Sequence, residues 1–259
     1  MKKIVAQLIT LVILMGILFT GCEGLGYTTG SGNLENKQYD LKDFNKVEIS
    51  NSFEFEIKQS SSYSVNVTCH ENIIPYLDVF LSNDTLVVRL KAGFHTNGDL
   101  NAIIALPQLV RLDVSGASRG SARGFTSDSD LEFRVSGASQ LDAGMEAGAC
   151  VIDISGLSKV TGNLIIKQTS LRVSGASRCE LKGSAGNSDI EVSGASEASL
   201  KDFQLQNVDI NVSGASTAII KTDGILNLDI SGASKLEYYG NPTLSKVSVT
   251  GASKISSKS

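Results

Sequence analysis

Tryptophan is missing from this 259-residue chain, histidine occurs only at His70 and His95, and aromatic residues make up 6%. A thick aromatic core is therefore excluded, and a thin core of Val, Ile, Leu and Ala is what the composition allows. No run of lysines or arginines occurs and the formal charge is −4, which argues against nucleic acid as a partner. No Cys-x-x-Cys pair or Cys/His cluster is present, so no metal and no cofactor is expected. No segment of helical period reaches a useful length.

What the chain does contain is a repeat. Val114-Ser115-Gly116-Ala117-Ser118 returns at Val135, Val173, Val192 and Val212, with variants at Ile154, Ile230 and Val249. The glycines of these eight copies are Gly116, Gly137, Gly156, Gly175, Gly194, Gly214, Gly232 and Gly251, spaced by 21, 19, 19, 19, 20, 18 and 19 residues. A near-fixed period of this size is the signature of a solenoid.

Aligned on the glycine, the positions two and four before it are apolar in every copy, from Val114 and Leu112 to Val249 and Val247. The residue between them is polar. That period of two marks a strand with one buried face. Four after the glycine, Leu141, Val160, Cys179, Ala198, Ala218, Leu236 and Ile255 carry the alternation into a second strand. The glycine thus takes a structural corner between two strands, where a positive φ costs it no Cβ strain. The alanine after it is expected to point inward. The fold expected is all-β, a right-handed parallel β-helix or solenoid of about eight 19-residue coils with an irregular N-terminal β segment. At the usual strand spacing of about 4.8 Å the eight coils make a rod roughly 35–40 Å long.

Four regions are expected. Residues 1–21 read as a signal peptide: Lys2 and Lys3, an apolar run from Ile4 to Phe19, then Thr20, Gly21 and Cys22. This resembles a bacterial lipoprotein signal, with cleavage before Cys22 and lipidation of its sulfur; an uncleaved membrane anchor is the alternative. Cleavage removes two lysines and no acid, taking the formal charge from −4 to −6. Residues 22–38, rich in Gly, Ser, Thr and Asn, read as a flexible tether. Residues 39–110 read as an irregular β segment that starts and caps the stack, with Ile49-Ser50-Asn51 a worn copy of the corner and a short helical turn over Glu71 to Tyr76. Residues 111–259 are the solenoid repeats.

The leader, the Phe44-x-x-Val47-x-Ile49 strand, the Leu106-Pro107-x-Leu109 lead-in and the eight Ser-Gly corners together resemble the putative auto-transporter adhesin, head GIN domain family. The resemblance implies a fold similar to pectin-lyase-type β-helices and a role in adhesion at the surface of Gram-negative bacteria, without assigned catalytic residues.

Three readings of function compete. The preferred one is a non-enzymatic, lipid-anchored envelope protein: an outer-membrane lipoprotein on the periplasmic or cell-surface face, binding a surface glycan or protein ligand. A second is a polysaccharide lyase-like, carbohydrate-active enzyme. Its candidate bases, Arg119, Lys159, Arg178, Lys235 and Lys254, share the column three after the glycine, but that column holds one acid, Glu197. No catalytic residue is therefore assigned. The third reading is a self-assembling envelope scaffold. Ser115 and Ser118, with their equivalents in each copy, form two hydroxyl ladders, read as corner hydrogen bonding. Cys150 and Cys179 are expected as buried free thiols. The last coil ends in an uncovered apolar rim guarded by Lys246, Lys254 and Lys258, and a monomer is expected.

Overall fold

The computed structural model describes residues 26–258. Nine strands precede the repeats: β1 (Gly26–Thr28), β2 (Leu34–Tyr39), β3 (Lys46–Ile49), β4 (Glu54–Gln59), β5 (Ser64–His70), β6 (Leu77–Ser82), β7 (Thr85–Leu90), β8 (Phe94–Thr96) and β9 (Leu100–Leu106). The expected helical turn is a 3-10 helix over Glu71–Tyr76, which contains Pro75. The repeats supply β10 (Arg111–Val114), β11 (Arg119–Thr126), β12 (Leu131–Val135), β13 (Gln140–Ile154), β14 (Lys159–Val173), β15 (Arg178–Val192), β16 (Glu197–Leu205), β17 (Val208–Val212), β18 (Thr217–Thr222), β19 (Ile225–Ile230), β20 (Lys235–Tyr239), β21 (Thr243–Val249) and β22 (Lys254–Lys258).

Each repeat is one coil with two arms. The arm before the glycine pairs with its counterpart in the next coil: Leu112 lies beside Phe133, Phe133 beside Ile152, and Ile152 beside Leu171. The arm after the glycine does the same, with Leu141 beside Val160 and Val160 beside Cys179. All these pairings are parallel and in register, so equivalent side chains stack into continuous columns. The inward columns are buried from Leu112 and Val114 through Leu228 and Ile230. In the last coil the same columns are open, with Val247 at 54% and Val249 at 46% exposure. Burial is thus set by having a coil on both sides, not by residue type.

The N-terminal strands extend the stack in an order the chain does not follow. β3 and β4 flank Ile49-Ser50-Asn51 and pair in parallel with β10 and β11, so they form a true coil. Asn51 and Ser52 take φ of 67° and 64° there, and Phe55 and Ile57 are buried as the repeat pattern requires. Beneath that coil lie β7 and β9, which come later in sequence yet pair in parallel with β3 and β4. β6 then pairs antiparallel with β7, β5 with β9, and β2 with β5. Aromatic residues concentrate here: Phe44, Phe53 and Phe55 are buried, and the Phe44 and Tyr63 rings meet at 5.0 Å.

Two expectations need correction. The stretch 22–38, expected to be a flexible tether, contains two paired strands, β1 against β8 and β2 against β5; residues 22–25 lie outside the described residues. A Cβ on Gly30 would stand 2.4 Å from His70 Cδ2, so this stretch packs tightly despite its composition. The second correction concerns the alanine after the glycine. Ala138, Ala176, Ala195, Ala215, Ala233 and Ala252 are exposed, as is Leu157 at 70%. The glycine and the residue after it make the corner itself, so the alternation resumes one residue later. The serine two after the glycine is what points inward, and Ser118, Ser139, Ser158, Ser177, Ser196, Ser216 and Ser234 are all buried.

Candidate functional site

The corners are the most regular feature. All eight glycines take φ between +61° and +78°. In the six corners from Gly156 onward the amide after the glycine donates to the glycine carbonyl of the coil before, as from Ala176 to Gly156 at 2.8 Å and from Ala195 to Gly175 at 2.8 Å. In four of them the serine hydroxyl donates to the same carbonyl, as from Ser177 to Gly156 at 3.3 Å and from Ser216 to Gly194 at 3.2 Å. That carbonyl therefore uses both lone pairs inside the stack. The inner hydroxyl ladder is spent on architecture and faces no ligand. Ser118 and Ser139 are exceptions, whose hydroxyl oxygens are buried without a partner among the described residues.

The charged column three before the glycine stacks as expected, with Arg134 in register between Asp113 and Asp153. Farther along the column Arg172 meets its register partner Glu191 at 3.6 Å, but the ion pairs of the first coils run along one strand. Arg134 binds Glu132 at 2.6 Å on its own strand, and Arg111 binds Asp113 at 2.6 Å. Residues two apart on one strand share a face, about 6.6 Å apart, which is within the reach of an arginine side chain. Asp113 raises the Arg111 pKa, with Glu132 and Glu48 adding to the effect.

The column of candidate bases runs one residue per coil along the second arm. Arg178 is neutralised by Glu197 at 2.9 Å, and Lys235 pairs with Glu237 two residues on. His70 ends β5, with Nδ1 3.2 Å from the Gly32 carbonyl and Nε2 3.8 Å from Asp99, while His95 lies in β8. Both sit in paired strands rather than in loops, far along the chain from the repeated serines. Cys69, Cys150 and Cys179 are free and buried. Burial pushes the Cys150 thiol to about 12, and burial with help from Glu180 does the same for Cys179, which suppresses the reactive thiolate. Cys22 lies outside the described residues.

Of the grooves on the outer faces, two lie on opposite arms of the central coils. One of about 550 Å³ lies on the first arms, over Val151, Gln168, Asn187, Asp189, Asn207 and Asn227. Its polar side chains bond one another: Asn207 Nδ2 donates to Asn187 Oδ1 at 2.9 Å, and Asn227 Nδ2 to the Asp209 carboxylate at 2.6 Å. The other, of about 640 Å³, lies on the second arms across β11, β13, β14 and β15. Gly144 leaves a notch between Arg123 and Asn163, and Ile165, 50% exposed, forms the apolar part. Around them stand Asp142, Glu146, Thr161, Glu180 and Lys182. Arg123 is paired with Asp142. Among the described residues, Glu146, Thr161, Asn163, Glu180 and Lys182 are left with their side-chain hydrogen-bonding capacity for solvent or a ligand.

This second groove was not foreseen from sequence, yet a signal for it exists. It lies between two breaks in register. One is at Gly124, an extra residue in β11, and the other is opposite Leu181, where β16 carries an extra residue at Leu200–Lys201. The second accounts for the repeat spacing of 20, while the spacing of 21 holds Gly124 and one further residue in the turn between β11 and β12. A bulge bends its strand and twists it locally, so the departures from period mark where the outer face changes shape.

The fold has solved relatives. A structure described as a putative lipid binding protein from Parabacteroides distasonis ATCC 8503 superposes with a TM-score of 0.84 at 19% identity, covering 90% of this chain and all of the other. A putative adhesin from Parabacteroides merdae ATCC 43184 gives 0.84 at 20% identity with the same coverage. A putative adhesin from Bacteroides fragilis NCTC 9343 gives 0.70 at 16%, covering 89% of this chain and all of that one. At these identities the likeness is one of fold. Among curated proteins no sequence matches. The model of the family described as putative auto-transporter adhesin, head GIN domain, matches residues 43–242. The match takes in the Asn51 corner and seven of the eight glycine corners, and this chain belongs to that family.

Proposed function

We propose that this protein is a non-enzymatic adhesin of the bacterial cell envelope, held to the outer membrane by lipid on Cys22. The observation that carries the adhesive reading is the in-register stack of coils in a chain of this family. Every coil is tied to the next by both arms, and from Gly137 onward by its corner, so the repeats form a stiff rod that projects an outer face. Membership in a family named for adhesion and fold relatives described as adhesins support the same reading. The chemistry of the second arms fits it too. The candidate bases are dispersed along the stack and partly neutralised by Glu197 and Glu237, whereas a lyase gathers its base and acids around one bond. The anchor is supported by Lys2, Lys3, the apolar run to Phe19 and Cys22.

The test uses whole cells carrying the full chain. Metabolic labelling with a palmitate analogue should mark the parent and spare Cys22→Ser. Protease shaving should remove the domain from intact cells, and those cells should lose attachment to a host-derived or polysaccharide surface. Attachment unchanged by deletion of the gene, or a reducing-end assay showing cleavage of uronate polymers, would overturn the reading.

A further inference from the structure

The groove over Gly144 has the chemistry of a binding site, and the groove on the opposite arms does not. On the first arms the amides of Asn187, Asn207 and Asn227 are committed to neighbouring coils. On the second arms Thr161, Asn163, Glu180 and Lys182 project from adjacent rungs without side-chain partners among the described residues. They offer donors and acceptors in alternation, at the spacing of successive coils, about 4.8 Å. A hydroxyl-rich chain, each of whose groups can both donate and accept, matches such a surface.

Other ligand classes fit less well. The backbone of β13, β14 and β15 is paired on both sides here, so no peptide strand can add to it. The charges lining the groove are Arg123 and Lys182 against Asp142, Glu146 and Glu180, a net excess of one acid, which disfavours phosphates, uronates and nucleic acid. Ile165 supplies one exposed apolar side chain, enough to meet one face of a sugar ring and too little for an acyl chain. The groove is also shaped. Gly124, the extra residue of β11, lines one end, and the register breaks again one strand beyond the other end, at Leu200–Lys201.

We propose that this groove binds a neutral, linear glycan laid along the stack across the coils of Gly116, Gly137, Gly156 and Gly175. The inference rests on the adhesive reading and names the ligand class and the face. Thr161, Asn163, Glu180 and Lys182 hydrogen-bond the sugar hydroxyls, and Ile165 packs against a ring. Gly144 leaves the chain room to lie close to the sheet. A side chain there is compatible with the fold, because a Cβ on Gly144 meets only the flexible Arg123 side chain at 3.4 Å.

The experiment uses the full chain in detergent on an array of neutral linear oligosaccharides (gluco-, manno- and chito-series), with uronate oligomers alongside. The parent should bind neutral chains and leave uronates. Gly144→Trp, which fills the notch, should lose about tenfold or more in affinity while melting like the parent, and Asn163→Ala with Lys182→Ala should lose affinity as well. Ser170→Arg, which crowds the opposite groove, should bind as the parent does. Equal binding by Gly144→Trp, loss of binding only in Ser170→Arg, or preference for uronates each overturns the proposal. Cells that attach through this protein while the array stays blank would also overturn it and leave the adhesive reading standing. Cells that do not attach at all would end both.

Discussion

Gly175 lies so directly on Gly156 that a Cβ added to it would come within 2.6 Å of the Gly156 carbonyl oxygen. Its φ of +78° adds backbone strain for any other residue. Space and strain therefore act together, and Gly175→Val should cost roughly 2–5 kcal/mol. Gly124 separates the two effects. Its φ is +81° but a Cβ there would meet nothing within 4 Å, so Gly124→Ala should cost only about 1 kcal/mol. Chemical denaturation of both variants checks the ranking; equal costs would contradict the close stacking of the corners.

The buried serines should divide in the same assay. Ser216 Oγ donates to the Gly194 carbonyl and accepts from the Ser196 amide at 3.4 Å, so Ser216→Ala should cost about 1 kcal/mol. Ser118 Oγ has no partner among the described residues. Ser118→Ala removes an unsatisfied buried hydroxyl and should leave stability unchanged or raise it.

Arg111 and Arg134 each hold an acid two residues away on their own strand, yet should differ in cost. Arg134 holds Glu132 alone, with half of its own side chain in solvent, so Arg134→Ala should cost about 0.5 kcal/mol or less. Arg111 sits among Asp113, Glu132 and Glu48. Arg111→Ala leaves Asp113 beside Glu48 without its partner and should cost about 1 kcal/mol, shrinking as salt is added. A double-mutant cycle with Asp113→Ala at two salt concentrations measures both parts.

The thiols predict a loss of stability in alkali. Cys150 and Cys179 ionise near 12 when folded, against an ordinary value of 9.0. Below 9 both states keep their protons and burial is without penalty. Above 9 the unfolded chain sheds protons that the folded chain retains, so stability falls as pH rises toward 12. The slope is about 1.4 kcal/mol per pH unit for each thiol. The Cys150→Ala, Cys179→Ala double variant should show a flatter decline over the same window. Folded parent should also resist alkylation at pH 8 and react fully in denaturant.

The rim of the last coil should stay guarded. Val247 and Val249 are exposed there, flanked by Lys246 and by Lys254 and Lys258 on β22, and charge on an edge discourages pairing. Light scattering of a chain beginning at residue 23 should give a monomer. A dimer that dissociates in Val247→Lys, Val249→Lys would show instead that this end is a contact surface.

Much of this architecture was legible in the repeat. A period of two interrupted every 19 residues by glycine determines strands, corners and stacking, because only one coil per repeat buries every apolar column at once. Even the Asn51 copy could be read, since Phe55 and Ile57 keep the same phase after it. The phase across the corner could not. Whether Ala176 or Ser177 turns inward depends on how many residues the turn consumes, and the tertiary hydrogen bonds to Gly156 decide that. The place of β7 and β9 beneath β3 and β4 was likewise decided by pairing between distant segments. So was the order in 26–39, whose polar composition holds no sign of the strands that receive it. Arg134 takes Glu132 on its own strand rather than Asp113 or Asp153 beside it, a choice between neighbours that the repeat pattern does not carry. The groove over Gly144 lies between two bulge residues, 76 positions apart along the chain, on one face of the same sheet. The lengthened spacings were visible in the sequence, and only the folded stack gave the two bulges a common surface.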